Sequence, residues 1–216
     1  MPTRLQQVTL LGPAGALEGA LHAHESRAPE LTAVVCHPHP SYGGTLHNKV
    51  VHRVASTLHD LGADVLRFNF RGVGRSEGRY DEGRGELEDA RAAVRWMHDR
   101  TPGARLWLAG FSFGAWVAAR LSASEPIVER LILVAPPVTR SGFDVLRHFP
   151  VPKLVIQGLD DTTCPPADLE REFALWSEPK TLVRVPGAAH FFDRQLGALG
   201  AAIRETWGDA ARGALR

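Results

Sequence analysis

The sequence contains little that indicates disulfide bonds, a structural metal or a polyanionic partner. Its two cysteines, Cys36 and Cys164, are too few for a disulfide framework and do not form a Cys-x-x-Cys pair. We therefore expect both to be reduced and to serve packing. The formal net charge is +1, and no run of five or more like charges occurs. The sequence thus predicts neither a nucleic-acid partner nor binding to an anionic membrane surface.

Long apolar segments are also missing. The start of the chain does not combine basic residues with an apolar stretch, and no segment approaches about 18 unbroken apolar residues, the length of a membrane-spanning helix. We therefore expect a cytoplasmic protein without a membrane partner. Apolar residues make up 44% of the 216 residues and charged residues 23%, as in compact globular proteins. The length is that of one domain, and we predict that 1–216 form a single one.

Short apolar runs rich in Val, Ile and Leu recur along the chain and predict strands. Their apolar character is nearly continuous, as expected of strands in a parallel sheet that helices cover on both faces. Six such runs lie at 31–36, 65–70, 106–109, 131–135, 154–156 and 181–185. Two earlier segments, 7–11 and 17–24, flank a Gly-Pro-Ala-Gly turn and predict an antiparallel hairpin. The sequence therefore predicts eight strands.

Segments with helical spacing of apolar residues lie between these strands. One apolar stripe spans 46–58 and a second spans 86–97, and further helices are expected after residue 112, from about residue 168 and from about residue 194. Strands that alternate with helices imply right-handed crossovers and an α/β three-layer sandwich around a mostly parallel sheet. Functional residues are then expected in loops at the carboxyl ends of the strands.

A Gly-x-Ser-x-Gly pentapeptide at 110–114 follows a predicted strand and leads directly into a predicted helix. Such a turn strains the serine, and the small residues two before and two after it relieve the crowding. Ser112 is therefore the candidate nucleophile, with a tight turn lacking chemistry as the alternative. A second match at 74–78 surrounds Ser76, but it follows a loop and precedes no immediate helix. The context favours Ser112 over Ser76.

A serine hydroxyl needs a base to take its proton, and the base needs an acid to orient it. His190 follows the last predicted strand and is the only histidine downstream of the pair Asp160 and Asp161. A surface or helix-capping role is the alternative for this histidine. We favour Asp161 as the acid because it lies three residues after Gly158 and four before Pro165, a common pattern at this place. Asp160 is then a turn or capping residue.

Acyl transfer also needs donors for the oxyanion. One should be the backbone N–H of Phe113, and the other should come from the loop at 37–45. The two early prolines of this loop have no N–H, so His39 is the natural donor, with Tyr42 and Gly43 as lesser candidates.

Three histidines in and near this loop, His37, His39 and His47, allow a zinc site as a rival interpretation. Their spacing suits no common metal motif, and no cysteine or acid lies nearby. We therefore predict no metal. No cofactor is predicted either, because a serine, a base, an acid and an oxyanion hole suffice for acyl transfer.

Taken together, these motifs resemble the α/β-hydrolase superfamily over essentially the whole chain, and in particular its small lidless bacterial serine hydrolases. The resemblance rests on His-Pro-His-Pro at 37–40, the segment 68–78, the pentapeptide 110–114, Asp161 and His190. It implies an eight-stranded sheet with an antiparallel second strand, and it implies carboxylester hydrolysis through an acyl-enzyme. It also explains Ser76, because an Arg-Gly-x-Gly-x-Ser-x-Gly loop after the fourth strand is a recurrent structural feature of the family. The prolines at 38 and 40 depart from the more usual His-Gly entry, which leaves the second oxyanion donor open.

Cap domains of this family usually enter after the sixth strand, where the segment from Ala135 to Lys153 is too short for several helices. An open site without a cap domain is therefore expected, with a small-molecule acyl ester or thioester of short chain as substrate. Tyr42, Phe143 and Phe191 are candidates to line the acyl pocket. A peptidase, a C–C hydrolase with the same triad and a non-catalytic binding protein remain as alternatives, and a homodimer remains one option for assembly.

Overall fold

A computed structural model describes residues 3–25 and 28–213, and an eight-stranded sheet organises them. The strands are β1 (Thr3–Gly12), β2 (Gly15–His24), β3 (Leu31–Cys36), β4 (Asp64–Phe68), β5 (Arg105–Phe111), β6 (Val128–Val134), β7 (Lys153–Gly158) and β8 (Lys180–Val185). Their spatial order is β1-β2-β4-β3-β5-β6-β7-β8. Strand β2 runs antiparallel to both neighbours, and β3 to β8 pair in parallel. The predicted fold class is confirmed.

Five α-helices cover the two faces of the sheet. They are α1 (Lys49–Asp60), α2 (Arg84–Arg100), α3 (Phe113–Ser122), α4 (Pro166–Leu175) and α5 (Leu196–Ala211). Residues of α1 and α5 share one hydrophobic core, and residues of α2 and α3 share the other. In β5, Leu106 and Leu108 join the second core while Trp107 and Ala109 join the first. Because successive side chains enter opposite cores, the strand is apolar throughout.

Some element boundaries differ from the sequence-based ones. Strand β4 ends at Phe68, although the apolar pattern predicts 65–70. Phe70 is apolar because it is buried outside the strand, where its ring packs on that of Phe68 with the centroids 5.0 Å apart. Strand β6 begins at Val128, three residues before the predicted start at Leu131. The prediction misses these residues because Glu129 and Arg130 interrupt the apolar pattern of the strand. These differences leave the order of elements unchanged.

No cap domain covers the carboxyl end of the sheet in the described part of the chain. Between β6 and β7 the chain forms only a short 3-10 helix, Asp144–Arg147. A second 3-10 helix, Pro40–Tyr42, follows β3. No helix within 3–25 and 28–213 has the length and apolar character needed to cross a membrane.

Candidate active site

Ser112 lies in the sharp turn that joins β5 to α3. Its backbone adopts φ 53° and ψ −118°, which is costly for a residue with a side chain. The turn is held in place because the Ser112 N–H donates to the carbonyl of Val134 on the neighbouring strand at 2.9 Å. The sheet therefore holds Ser112 in its strained conformation.

The two glycines of the turn allow this close approach of chain segments. A Cβ atom on Gly110 would lie 2.1 Å from the carbonyl oxygen of Gly114, and one on Gly114 would lie 2.3 Å from the carbonyl oxygen of Cys36. Both contacts are with backbone, which cannot move aside cheaply. Glycine is therefore required at both positions so that α3 can start directly beneath Ser112 and against the end of β3.

His190 contacts Ser112 from the loop that follows β8. Its Nε2 lies 3.1 Å from the Ser112 Oγ, and its ring packs on Phe111 with the centroids 5.0 Å apart. The loop can reach this point because a Cβ on Gly158 would lie 2.2 Å from the carbonyl oxygen of Ala188, so only glycine fits there. With its proton on Nδ1, the imidazole presents Nε2 to accept the serine proton.

Asp161 completes a continuous hydrogen-bonded chain. Its Oδ2 lies 2.9 Å from the Nδ1 of His190, and its Oδ1 accepts the backbone N–H groups of Thr163 and Cys164 at 2.9 and 2.8 Å. Burial by itself raises the pKa of Asp161, but these hydrogen bonds outweigh burial and place the pKa below its ordinary value. The carboxylate therefore stays ionised and holds the histidine tautomer.

Asp160, the alternative acid, does not reach the histidine. Its side chain is exposed, and its backbone N–H donates to the carbonyl of Ala188 at 3.0 Å. That bond ties the loop after β7 to the loop that carries His190. Asp160 thus joins the two loops through its backbone, while Asp161 makes the side-chain contact.

The predicted oxyanion donors lie on two sides of the serine turn. The N–H of Phe113 is the first of α3, and first-turn N–H groups have no acceptor within their own helix. The ring of His39 lies 5.0 Å from the ring of Phe113 and hydrogen-bonds through Nε2 to the hydroxyl of Tyr80 at 3.1 Å. The Nδ1 of His39 accepts the Ser41 N–H at 3.2 Å. Among the described residues, no hydrogen bond occupies the backbone N–H of His39 or of Phe113.

His37 is buried beneath this loop and holds it through two hydrogen bonds of its ring. Its Nε2 accepts the Phe70 N–H at 3.0 Å, and its Nδ1 donates to the carbonyl of Pro38 at 2.6 Å. Burial lowers the pKa of His37 to about 4, so the ring is neutral at pH 7. Since both ring nitrogens of His37 and of His39 already have partners, the geometry does not favour the zinc interpretation of these histidines.

Comparisons with known proteins identify the family of this chain. Residues 34–150 match the family described as alpha/beta hydrolase fold. The chain belongs to the α/β-hydrolase family. A lidless α/β serine hydrolase from Xanthomonas campestris is 40% identical, with a TM-score of 0.87 over 97% of this chain and 95% of that one. An α/β serine hydrolase homologue from Coxiella burnetii is also 40% identical, with a TM-score of 0.88 over 93% and 97%. An uncharacterised protein of Rickettsia prowazekii is 37% identical over 87% of this chain and 82% of its own length.

A cavity of about 220 Å³ opens beside the serine of this α/β hydrolase. It is lined by Ser112 and His190 together with His39, Tyr42 and Phe191. Tyr42 is largely exposed at 86% and Phe191 partly so at 46%, so both form the rim. Two of the three residues predicted for the acyl pocket therefore lie at the cavity.

The third, Phe143, does not lie there, and that prediction is wrong. Phe143 is buried and stacks on Trp176, with ring centroids 5.8 Å apart and an interplanar angle of 14°. It belongs to the hydrophobic core on the α2 and α3 face of the sheet. Its side chain is held by a tryptophan beyond α4, a contact that no local pattern indicates.

Two further residues support the site and were missing from the sequence-based set. The Nε2 of Gln157 donates to Asp161 Oδ2 at 3.2 Å and to the carbonyl of Cys164 at 2.8 Å, so it braces the acid loop from the end of β7. Tyr80 orients the ring of His39 through its hydroxyl. The position of Gln157, a polar residue at the end of an apolar run, could have indicated a role at the site. Tyr80 lies in a loop where no sequence pattern indicates such a role.

Proposed function

We propose that this α/β hydrolase is a serine hydrolase that cleaves small carboxylic esters or thioesters through an acyl-enzyme on Ser112. The observation that carries the proposal is the hydrogen-bonded chain from Ser112 through His190 to Asp161, with distances of 3.1 and 2.9 Å. This is the arrangement that a serine nucleophile, a general base and an orienting acid require. No cofactor enters the scheme.

Acylation begins when the Ser112 Oγ attacks the carbonyl carbon of the ester while His190 Nε2 takes the hydroxyl proton. The resulting imidazolium is stabilised by the Asp161 carboxylate, which remains ionised. The tetrahedral oxyanion is held by the N–H of Phe113 and, in our assignment, by the N–H of His39. The intermediate collapses when His190 returns the proton to the leaving alcohol or thiol, which departs and leaves the acyl group on Ser112.

Deacylation repeats these steps with water. His190 removes a proton from a water molecule, the hydroxide adds to the acyl carbon, and the oxyanion is held by the same donors. When the C–O bond to Ser112 breaks, the serine recovers its proton from the imidazolium and the carboxylic acid leaves. Every proton is thus transferred at one nitrogen, His190 Nε2.

The size of the cavity and the open entrance favour a short acyl group. A cavity of about 220 Å³ is smaller than those that enclose drug-sized ligands, and residues 3–25 and 28–213 form no cap domain that would add apolar surface above it. A peptidase or a C–C hydrolase would use the same three residues, so the choice of an ester or thioester rests on the shape of the site. A binding protein without activity has no need of the strained serine, the base and the acid together.

Hydrolysis of p-nitrophenyl esters of increasing acyl length tests the proposal. We expect kcat/KM to fall from short to long acyl chains, and we expect Ser112→Ala to lower kcat by on the order of 10⁴-fold or more. The matched control is Ser76→Ala, which removes the serine of the other Gly-x-Ser-x-Gly pentapeptide. Its hydroxyl donates to the carbonyl of Asn69 at 2.7 Å and accepts the N–H of Glu18 at 2.9 Å, so it should affect stability only.

A fluorophosphonate probe provides a readout that does not depend on the substrate chosen. We expect wild type and Ser76→Ala to be labelled, and Ser112→Ala to remain unlabelled. Equal labelling of wild type and Ser112→Ala would assign the nucleophile elsewhere. Labelling without hydrolysis of any ester or thioester would favour the peptidase or C–C hydrolase alternative.

A further inference from the structure

A second cavity, of about 560 Å³, lies beside the start of α2 and the outer side of α3. It is distinct from the cavity that contains Ser112, and it is the larger of the two. Three arginines, one tryptophan and two glutamates contribute to its lining: Arg84, Arg120, Arg140, Trp116, Glu82 and Glu88. Its position and its charges are not used by the proposed reaction.

Two of the arginines have no carboxylate partner in the part of the chain that the structure describes. Arg84 pairs with Asp81 at 2.9 Å, and Glu88 pairs with Arg91 at 3.1 Å outside the lining. Arg120 and Arg140, in contrast, form no ion pair among the described residues. The Nη2 of Arg140 donates to the backbone carbonyl of Glu82 at 2.8 Å. Its guanidinium also lies near the hydroxyl of Tyr80, where its charge opposes the rise in the pKa of Tyr80 that burial causes, so the contacts of Arg140 are with neutral groups.

Both unpaired guanidinium groups lie against one indole ring. The guanidinium carbon of Arg140 is 4.1 Å from the centre of the Trp116 ring, and that of Arg120 is 4.9 Å from it. Trp116 is itself fixed, because it is 4% exposed and its Nε1 donates to the carbonyl of Ser141 at 2.7 Å. Arginines that stack on an aromatic ring lose less freedom when they bind a planar anion. The guanidinium groups of Arg120 and Arg140 on Trp116 therefore form an ordered positive surface of the cavity, which we call the positive wall.

The positive wall is connected to the reaction site through Phe113. The ring of Trp116 stacks on that of Phe113, with centroids 5.6 Å apart, and the guanidinium of Arg140 is 5.5 Å from the Phe113 ring. Phe113 also contacts His39, with the ring centroids 5.0 Å apart, and His39 lines the cavity of Ser112. Burial and the charge of Arg140 both lower the pKa of His39. The positive wall is thus separated from the serine cavity by a single aromatic ring.

We propose that Arg120 and Arg140 bind an anionic group, a carboxylate or a phosphate, carried by the same substrate whose carbonyl is attacked at Ser112. Guanidinium forks match these anions with two parallel hydrogen bonds, and a spacer of several bonds would connect the anion to the ester. The inference rests on the proposed hydrolase function and names its substrate class: acyl esters or thioesters that carry a remote negative charge.

Pairs of esters that differ only in this charge test the proposal. Each ω-carboxyacyl p-nitrophenyl ester of a series with increasing spacer length is compared with the uncharged ester of the same carbon number. We expect wild type to prefer the charged ester by roughly tenfold in kcat/KM at the best spacer length. Arg140→Gln should reduce this preference by roughly three- to tenfold, and Arg120→Gln, whose side chain is exposed, by less.

Control variants separate a binding site from a general effect of charge. Arg171→Gln removes an arginine that pairs with Asp168 on α4 and does not line the cavity, and it should leave the preference unchanged. Arg140→Lys retains the charge without the planar fork and should retain only part of the preference. The preference is a ratio of kcat/KM for two esters of the same carbon number, so an effect of a substitution that is common to both esters, including one that acts through Phe113 and His39, cancels in it.

The source of the negative charge is determined by competition. Inorganic phosphate and glutarate are each added to assays of a charged ester and of its uncharged counterpart. We expect the competing anion to raise the KM of the charged ester and to leave that of the uncharged ester unchanged. A stronger effect of phosphate would indicate a phosphate on the natural substrate, and a stronger effect of glutarate would indicate a carboxylate. If wild type hydrolyses uncharged esters but shows neither the preference nor the competition, the anion site is refuted and the hydrolase function stands. If no ester is hydrolysed and no probe labels Ser112, the hydrolase function itself has failed.

Discussion

The chain contains the pattern Gly-x-Ser-x-Gly twice, and the structure gives the two copies different environments. Ser112 lies between a strand and a helix, with a left-handed backbone and its hydroxyl 3.1 Å from an imidazole nitrogen. Ser76 lies in a loop after β4, is 7% exposed, and uses its hydroxyl to donate to Asn69 and to accept from Glu18. One hydroxyl faces a base, and the other is fully engaged in supporting a loop.

The glycines of the two pentapeptides are needed for different reasons. Gly74 and Gly78 have φ values of 57° and 84°, so their backbone conformation excludes most other residues. Gly110 and Gly114 do not have positive φ values in the structure, but a Cβ on either would overlap backbone atoms. The loop around Ser76 thus needs glycine for chain direction and, through side-chain contacts of 2.5 and 2.8 Å, also for space, whereas the turn around Ser112 needs glycine for space alone.

Each serine also has a carboxylate nearby, but only one has a histidine between them. Glu18 accepts from the side chain of Asn69 at 2.8 Å and from the N–H of Arg75 at 2.9 Å, so its charge supports the loop. The carboxylate near Ser112 acts on it through His190. A hydroxyl and a carboxylate in one region therefore indicate chemistry only when a base connects them.

Removing the charge of the carboxylate near each serine should give the largest difference between the two regions. We expect Asp161→Asn to lower kcat by roughly 10³- to 10⁴-fold, because the histidine loses the partner that fixes its tautomer and stabilises the imidazolium. Glu18→Gln should leave kcat within about twofold, because its contacts support a loop away from the base. Steady-state kinetics on a short p-nitrophenyl ester measures both variants.

Asp160→Asn is the control for a change of charge in the acid loop. Its side chain is exposed, so the variant should behave as wild type. A large loss of kcat in Asp160→Asn or in Glu18→Gln, with the fold intact by circular dichroism, would contradict the division between the two carboxylates.

Adding one methyl group to each pentapeptide tests whether space and chain direction have different consequences. In Gly114→Ala the new Cβ lies 2.3 Å from the carbonyl oxygen of Cys36, so α3 must move away from β3. We expect a loss of about 1–3 kcal/mol in the free energy of unfolding and a loss of about 10²-fold in kcat, because Ser112 and the N–H of Phe113 move with the helix.

Gly78→Ala is the matched variant in the other loop. Its φ of 84° and a contact of 2.8 Å with the Cβ of Ala14 should lower stability by about 1–3 kcal/mol, with kcat retained. Urea unfolding and ester hydrolysis are measured on both variants. An equal loss of kcat in Gly78→Ala would mean that the loop around Ser76 also shapes the reaction site.

Much of the fold could be predicted because its signals are local. Continuous apolar runs and helical stripes indicated the alternation of strands and helices, and the position of the pentapeptide between β5 and α3 separated Ser112 from Ser76. Since parallel strands end at one edge of the sheet, side chains following β5, β7 and β8 were expected to converge. The structure places Ser112, Asp161 and His190 in contact at that edge.

Contacts between distant segments could not be predicted in this way. Phe143 is a candidate for the acyl pocket as an aromatic residue, but the structure stacks it on Trp176 in the core. The sequence does not single out the two arginines on Trp116 that have no carboxylate partner among the described residues, because arginines are common on surfaces and only tertiary packing shows which of them are paired. The hydrogen bond from Tyr80 to His39 joins two loops for the same reason.

The response of the two carboxylates to acid is the smallest expected difference between the regions. Burial by itself raises the pKa of Glu18 and of Asp161, but hydrogen bonds from Arg75 and Asn69 to Glu18, and from His190 and two backbone N–H groups to Asp161, place both below their ordinary values of 4.5 and 3.8. A carboxylate with a depressed pKa in the folded state stabilises the fold fully above its unfolded-state pKa. It loses this contribution as the pH falls through the folded-state pKa.

The free energy of unfolding, measured in urea at a series of pH values, should therefore differ most between wild type and each carboxamide variant above about pH 5. The difference should shrink below pH 4.5 for Glu18→Gln and only below pH 3.8 for Asp161→Asn. Curves that remain parallel from neutral to acid pH would show that these carboxylates are not stabilised by the fold. Because Asp161 starts from the lower ordinary pKa and accepts hydrogen bonds from His190 and from two backbone N–H groups that outweigh its burial, its contribution should persist to lower pH, which is what a carboxylate that must stay ionised beside an imidazolium requires.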